Sequence, residues 1–288
     1  MTKKRSRKTA KRTFRKTRKK DQASKSKPAL SKIEQSKKYI NDADWRYQHI
    51  TFTTEDFIGP AGIKHEAGAI VEVSAIVKLV GQQLTMPMPS MVAMYLNISH
   101  KAHEAAEELF TRIEYQPSHR ALNVVHLKNS KPTMLYDMME ERIKAIVFAF
   151  TAIETFANEV IPTDFLYTRK SKKSSESFDK HQIERYVQTD EKLIKVLAEV
   201  KQVASPATND YWQVFVRLKA ERDSLIHLKH KDKYLVDVNT DEGGEIWNVL
   251  AGGELPNYAA ELQPLFEHYF PDKESRYLWM QKTPFWNH

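Results

Sequence analysis

Apolar residues recur at helical spacing in three long stretches of the chain, and they predict a mainly α fold. The stretches cover about 90–115, 133–161 and 211–230. Ser90 is a residue type that caps helix N-termini, and Pro162 stops the second stretch. Shorter helical patterns cover 182–188, 190–203 and 258–270. We expect an antiparallel helical bundle from about 90 to 231.

β-branched and aromatic residues predict small β additions before and after this bundle. The predicted strands lie at 45–52 and 69–80, and 121–127 is either a short strand or an extended connection. Residues 234–250 are predicted to form a hairpin around Gly243-Gly244. The polar stretch 163–178, with Arg169-Lys170-Ser171-Lys172-Lys173 at its centre, is predicted to be an exposed basic loop. Four aromatic residues near the C-terminus predict a tail that docks onto the body: Tyr277, Trp279, Phe285 and Trp286.

These patterns divide the chain into four parts. Residues 1–38 form a polybasic arm with almost no large apolar side chain, which predicts disorder. Residues 39–89 form a small β-containing segment, 90–231 the helical bundle, and 232–288 an extension made of the hairpin and a helix.

The overall net charge of +8 hides a strong asymmetry along the chain. Residues 1–27 hold 14 Lys or Arg and a single acid, Asp21, whereas the remaining residues hold 31 Lys or Arg and 36 acids. Such an arm suits RNA or another nucleic acid, because each neutralised phosphate releases counterions. A solubilising tail and a targeting signal are the alternatives.

Several classes of function lack their signatures in this sequence. There is no cysteine, no GxxxxGK[ST], no GxGxxG and no GxSxG, so we expect no cofactor and no serine or cysteine hydrolase. His100 and His103 lie three apart on one helix but lack a third ligand, so we expect no metal site. No apolar run is long enough to span a bilayer, and the N-terminus lacks a secretory pattern. We therefore expect a cytoplasmic protein that does not enter a membrane.

Two charged residues of opposite sign lie on apolar helical stripes. Arg222 comes four residues after Leu218 and three before Leu225, and Glu154 comes four after Phe150. A charge on a buried stripe is costly unless it is paired or meets a ligand. Arg222 and Glu154 are therefore candidates either for a functional site or for an ion pair between two packed helices.

The stretch Arg222-Asp223-Ser224-Leu225-Ile226-His227, together with the earlier helix around Glu154, resembles the HEPN superfamily. The resemblance covers roughly 133–231. It is carried by an Arg, a polar residue directly after it and a His five positions on, which Arg222, Asp223 and His227 match. The usual polar residue in that motif is Asn, so Asp223 is a departure.

This resemblance implies an α-helical domain and a metal-independent ribonuclease. It implies catalytic roles for Arg222, Asp223, His227 and Glu154, and it implies a homodimer in which two Arg/His pairs line one cleft. A role as a toxin or defence effector, with an antitoxin or inhibitor as partner, also comes from the resemblance alone. We expect Lys229, His230 and Lys231 to contact the substrate, although His230 can equally act as a C-terminal helix cation.

The chemistry of these side chains fits RNA cleavage without a metal. Histidine titrates near neutrality and can take the proton of a 2′-hydroxyl, while arginine stays charged and can bind two phosphate oxygens. Five residues turn a helix by about 140°, so Arg222 and His227 do not share a face. Either the helix ends or distorts near His227, as the cations at 229–231 favour, or the cleft spans more than one face. The alternatives are a non-catalytic HEPN-like dimerising scaffold, a nucleic-acid adaptor and a DNA-binding regulator.

Overall fold

The computed structural model describes residues 31–59, 62–118, 125–128, 132–170, 175–227 and 245–287, and it is mainly helical with small antiparallel sheets. The helices are α1 (Lys32–Asp42), α2 (Met91–Arg112), α3 (Thr133–Val160), α4 (Lys180–Tyr186), α5 (Thr189–Glu191), α6 (Ala198–Lys201), α7 (Asp210–Ile226), α8 (Glu245–Ala251), α9 (Tyr258–Glu261), α10 (Gln263–His268) and α11 (Leu278–Lys282). The strands are β1 (Ile50–Phe52), β2 (Phe57–Ile58), β3 (Lys64–His65), β4 (Ile70–Glu72), β5 (Ser74–Leu79), β6 (Gln82–Pro87), β7 (Tyr115–Pro117), β8 (Val125–Leu127), β9 (Tyr167–Lys170) and β10 (Ser175–Phe178). The predicted class, mainly α with small β additions, is confirmed.

The two longest helices, α2 and α3, pack along each other and form the centre of the fold. Ser90 caps α2 as predicted, since its side chain accepts a hydrogen bond from the amide of Ala93. Small residues on both helices let the backbones approach closely, and the Ser99 hydroxyl donates to the Ala145 carbonyl at 2.7 Å. The buried small residues of the pair are Ala93, Ser99, Ala102, Ala106, Ala145, Ala149, Ala152 and Ala157.

The C-terminal aromatic residues dock onto α3, as the sequence predicts. Phe156 of α3 meets Phe266 edge to face, with ring centroids 4.8 Å apart. Trp279 and Trp286 are buried beside them, and the Trp286 indole donates to the Ala259 carbonyl at 2.8 Å. The tail therefore supplies part of the aromatic core.

The N-terminal arm ends earlier than its composition predicts. Residues 32–38 belong to α1, so disorder is the wrong prediction for them, and residues 1–30 lie outside the described part. Ser31 and Glu34 form a capping box at the start of α1. That local signal outweighs the polar composition of the segment.

Residues 39–89 hold short strands, as predicted, but the single strand expected over 69–80 divides into β4 and β5. β4 pairs with β1, while β5 pairs with β6 through a two-residue turn, Val80-Gly81. Both turn residues have positive φ, 47° at Val80 and 80° at Gly81. A β-branched residue is strained in that conformation.

Two predictions of local structure are wrong. Residues 167–170 and 175–178 form the hairpin of β9 and β10 rather than an exposed loop, because Tyr167 is buried and its hydroxyl donates to Glu191 at 2.8 Å. Residues 245–250 form α8 rather than the second strand of a hairpin. Ile246 and Leu250, four residues apart, share its buried face. The rest of the predicted hairpin lies outside the described residues.

The C-terminal end of α8 is held by a buried arginine of α3. Arg142 has no exposed surface, and its guanidinium donates to the carbonyls of Leu250, Gly252 and Gly253 at 2.7–3.3 Å, and to that of Val249. These carbonyls have no partners within the helix. Arg142 therefore fixes where α8 ends and where the chain leads into α9.

No helix within the described ranges combines the length and apolar character needed to cross a membrane.

Replacing Val80 by Asn should stabilise the β5–β6 hairpin, because Asn tolerates positive φ and the side chain of Val80 is 96% exposed, so no packing is lost. We expect about 1 kcal/mol of extra protection in amide hydrogen exchange across β5 and β6. Val73→Asn is the control, since Val73 is also exposed but lacks positive φ. Equal protection changes in both variants would contradict the strain at Val80.

Replacing Arg142 by Lys should lower the free energy of unfolding by about 3 kcal/mol, because an ammonium group cannot reach the carbonyls that the planar guanidinium bridges. Urea unfolding followed by circular dichroism measures this change. Arg112→Lys, in which the charge is conserved at an exposed position of α2, is the control and should leave stability nearly unchanged.

Candidate functional site

The Arg222 guanidinium lies over an aromatic ring of the neighbouring helix. α7 packs against α3 through Trp212, Phe215 and Leu218, which are all buried. Arg222, one turn after Leu218, places its guanidinium carbon 4.4 Å from the centroid of the Phe150 ring, and its side chain is 24% exposed. A cation–π contact therefore allows a charge on the apolar stripe of α7 while leaving a quarter of the side chain open to solvent.

Arg222 is bound more closely by Asp223 than by Glu154. Its Nη1 donates to the Asp223 Oδ1 at 2.8 Å, whereas its Nη2 is 3.9 Å from the Glu154 Oε2. The second distance is beyond hydrogen-bonding range. The structure thus brings Arg222, Asp223 and Glu154 together, and among the described residues the only acidic contact of Nη2 is the long one to Glu154.

Glu154 is also bound by Thr189, the first residue of α5. The Thr189 hydroxyl donates to the Glu154 Oε1 at 3.1 Å. Lys192 is buried nearby and donates from Nζ to the Asn158 Oδ1 at 2.8 Å and to the Glu184 carbonyl at 2.9 Å. Burial lowers the pKa of Lys192, and the charge of Glu154 opposes that shift. Glu154 is therefore oriented without depending on Arg222.

A π-helical segment runs from Lys192 to Leu197, between α5 and α6. Such segments are rare and are frequent at functional sites. Directly before it, Asp190 accepts a hydrogen bond at 3.1 Å from Lys219 of α7. The other carboxylate oxygen of Asp190 is buried and has no hydrogen-bond partner among the described residues.

Thr189, Asp190, Lys192 and Lys219 are the residues that reasoning from sequence missed. The sequence shows that a helix begins near Asp190, but not that this helix packs beside Glu154. The π-helical segment has no sequence signature of its own. The contacts become visible only when α3, α5 and α7 are placed together.

His227 ends α7, as the sequence predicts. It is the C-cap residue, with φ −113° and ψ 47°, and its amide donates to the Asp223 carbonyl at 3.0 Å. Its side chain is exposed, and in the described part of the chain it makes no contact with Arg222 or Glu154. The predicted substrate contacts Lys229, His230 and Lys231 lie outside the described residues.

The site holds as many cations as acids. Arg222, Lys192 and Lys219 face Asp223, Glu154 and Asp190, and each cation has at least one polar partner. A phosphate that approaches Arg222 or Lys219 therefore competes with a carboxylate. Competition is weakest at the Nη2 of Arg222, where the carboxylate is 3.9 Å away.

Comparison of this chain with models of protein families, with curated proteins and with solved structures finds no match.

Proposed function

We propose that the chain is a metal-independent RNA-cleaving or RNA-binding protein with a HEPN-like domain, and that it acts as a toxin or defence effector. The observation that carries this proposal is the arrangement at the end of α7. A partly exposed guanidinium with one long ion contact is followed, where the helix stops, by an exposed imidazole.

Each side chain takes one role in the proposed reaction. His227 accepts the proton of the attacking 2′-hydroxyl or donates one to the leaving 5′-oxygen, because it is exposed to solvent at the helix end. Arg222 binds the phosphate, whose charge grows as the new P–O bond forms. Asp223 and Glu154 orient the guanidinium from two sides. In a homodimer, the His227 of each protomer supplies one of the two proton transfers.

A non-catalytic scaffold or nucleic-acid adaptor is the second candidate. It is favoured by the contacts of Arg222 with Phe150 and Asp223, which also serve to pack α7 on α3. Under this alternative His227 only ends the helix.

Replacing His227 by Ala should lower RNA cleavage by at least about 100-fold, because general acid–base catalysis contributes that much. The assay uses purified full chain, total RNA and excess chelator. The fold should be retained, since the side chain is exposed.

His181→Ala is the matched control, because His181 is an exposed histidine on α4. Equal cleavage by the wild-type chain and the His227 variant would contradict the catalytic role and support the scaffold.

Removing residues 1–27 should weaken RNA binding and reduce its dependence on salt, because the segment carries 14 Lys or Arg. Fluorescence anisotropy with a single-stranded RNA between 50 and 200 mM salt measures the slope, which should fall by about 0.7 for each phosphate that the arm neutralises in the full chain. An unchanged slope would show that the arm does not bind RNA.

A further inference from the structure

A polar cleft lies between α2, α7 and the segment 254–257 that leads into α9. It encloses about 490 Å³, and its polar lining consists of His103, Glu107, Arg217, Glu254, Asn257 and Glu261. A second cleft of about 280 Å³, lined in part by Glu221 and Asn248, shares the wall 254–256 with the first. The volume of the first cleft falls within the range of small-molecule sites, and that of the second lies just below it.

Buried polar atoms without partners are concentrated at these two clefts. The Nδ1 of His103, the Oε1 of Glu107 and the Oε2 of Glu221 are shielded from solvent and make no hydrogen bond to the described residues. The hydroxyl of Tyr258, a residue that is only 1% exposed, lies beside the Glu221 carboxylate and has no other hydrogen-bond partner among the described residues. Tyr258 lies below Arg217, whose guanidinium is 5.3 Å from its ring. An unsatisfied buried group costs about 1–3 kcal/mol, so several at one place indicate a missing partner.

Most of these atoms are acceptors, and the surrounding charge is negative. Arg217 is already paired with Glu261 at 2.8 Å. Arg142 is 3.6 Å from Glu107, but its hydrogen bonds go to the carbonyls at the end of α8. Glu221 and Glu254 therefore lack a cation of their own within the described residues.

We propose that the paired clefts bind a small organic cation that carries a guanidinium or ammonium group. Its N–H groups donate to Glu107, Glu221 and the His103 ring nitrogen, and its charge neutralises Glu221 and Glu254. The cation can be a free amine or the basic side chain of a peptide. This site shares no residue with the Arg222 site, and the inference does not depend on the proposed ribonuclease activity.

Two of the titratable groups at the clefts, Glu221 and His103, predict that cation binding weakens in acid. Burial raises the pKa of Glu221, the nearby Tyr258 hydroxyl and Arg217 oppose that rise, and Glu261 adds to it. Burial lowers the pKa of His103, with His100 and Arg142 acting in the same direction and Glu107 and Glu104 against it. Protonation of Glu221 removes an attractive charge and protonation of His103 adds a repulsive one. The bound cation therefore displaces protons, and affinity falls as the pH falls.

Isothermal titration calorimetry of the full chain with agmatine tests this proposal at pH 8 and pH 5.5. We expect saturable 1:1 binding at pH 8, at least about tenfold weaker at pH 5.5, and no binding of the neutral analogue butylurea. A synthetic peptide of residues 3–12 is the second probe. If it competes with agmatine and binds more tightly, the natural source is a basic peptide. If only agmatine binds, the source is a free amine.

The variants Glu107→Gln and Glu221→Gln should each weaken agmatine binding at least about tenfold. Glu108→Gln, an exposed acid on the same helix as Glu107, should not change it. If a variant fails to fold, the melting temperature of the wild-type chain is measured at increasing agmatine concentration. Binding should raise it. No heat and no rise with either probe would overturn the proposal, as would equal weakening by Glu108→Gln.

Discussion

The hydrogen bonds from Arg142 to the carbonyls at the end of α8 fix the C-terminal half of the fold. A buried guanidinium is costly by itself, and this one is tolerated because up to four carbonyls and the Glu107 carboxylate surround it. The chain that leaves α8 is thereby tied to the middle of α3. The position of α9 follows, and with α9 the aromatic residues that complete the core against Phe156.

Arg142 and Arg222 show what can and what cannot be concluded from a charged residue on the apolar face of a helix. Both lie on buried faces of long helices, but only Arg222 was singled out from the sequence. The structure distinguishes them by their partners: Arg142 is fully buried with carbonyls around it, whereas Arg222 is 24% exposed and holds one close carboxylate. A sequence shows that such a residue needs a partner. It does not show whether that partner is the protein itself or a ligand.

The predictions that succeeded rest on local signals, and those that failed depend on packing. The cap at Ser90 follows from capping chemistry, and the end of α7 at His227 agrees with the cations at 229–231, although periodicity alone extends the helix to 230. α8 and the β9–β10 hairpin are decided by Arg142 and by Glu191, which lie 22 or more residues away. The capping box of Ser31 and Glu34 is also a local signal, but the polar composition of residues 1–38 favoured a prediction of disorder. For the same reason the sequence identified Arg222, Asp223 and Glu154 but not Thr189 of α5 or Lys219 of α7, whose contacts form only when α3, α5 and α7 pack together.

Helix α7 contributes residues to both sites. Glu221 lines the polar cleft while Arg222, the next residue, lies on Phe150 of α3. Neighbouring residues on a helix point about 100° apart, so one turn of α7 faces two different environments. The last turn of this helix also carries Asp223 and ends at His227, whose amide bonds to the Asp223 carbonyl. If a cation binds Glu221, it removes the cost of an unpaired carboxylate oxygen in the turn that leads to Arg222 and His227. Any coupling of the two sites that results is reciprocal, so a ligand that orders Arg222 must strengthen cation binding by the same factor.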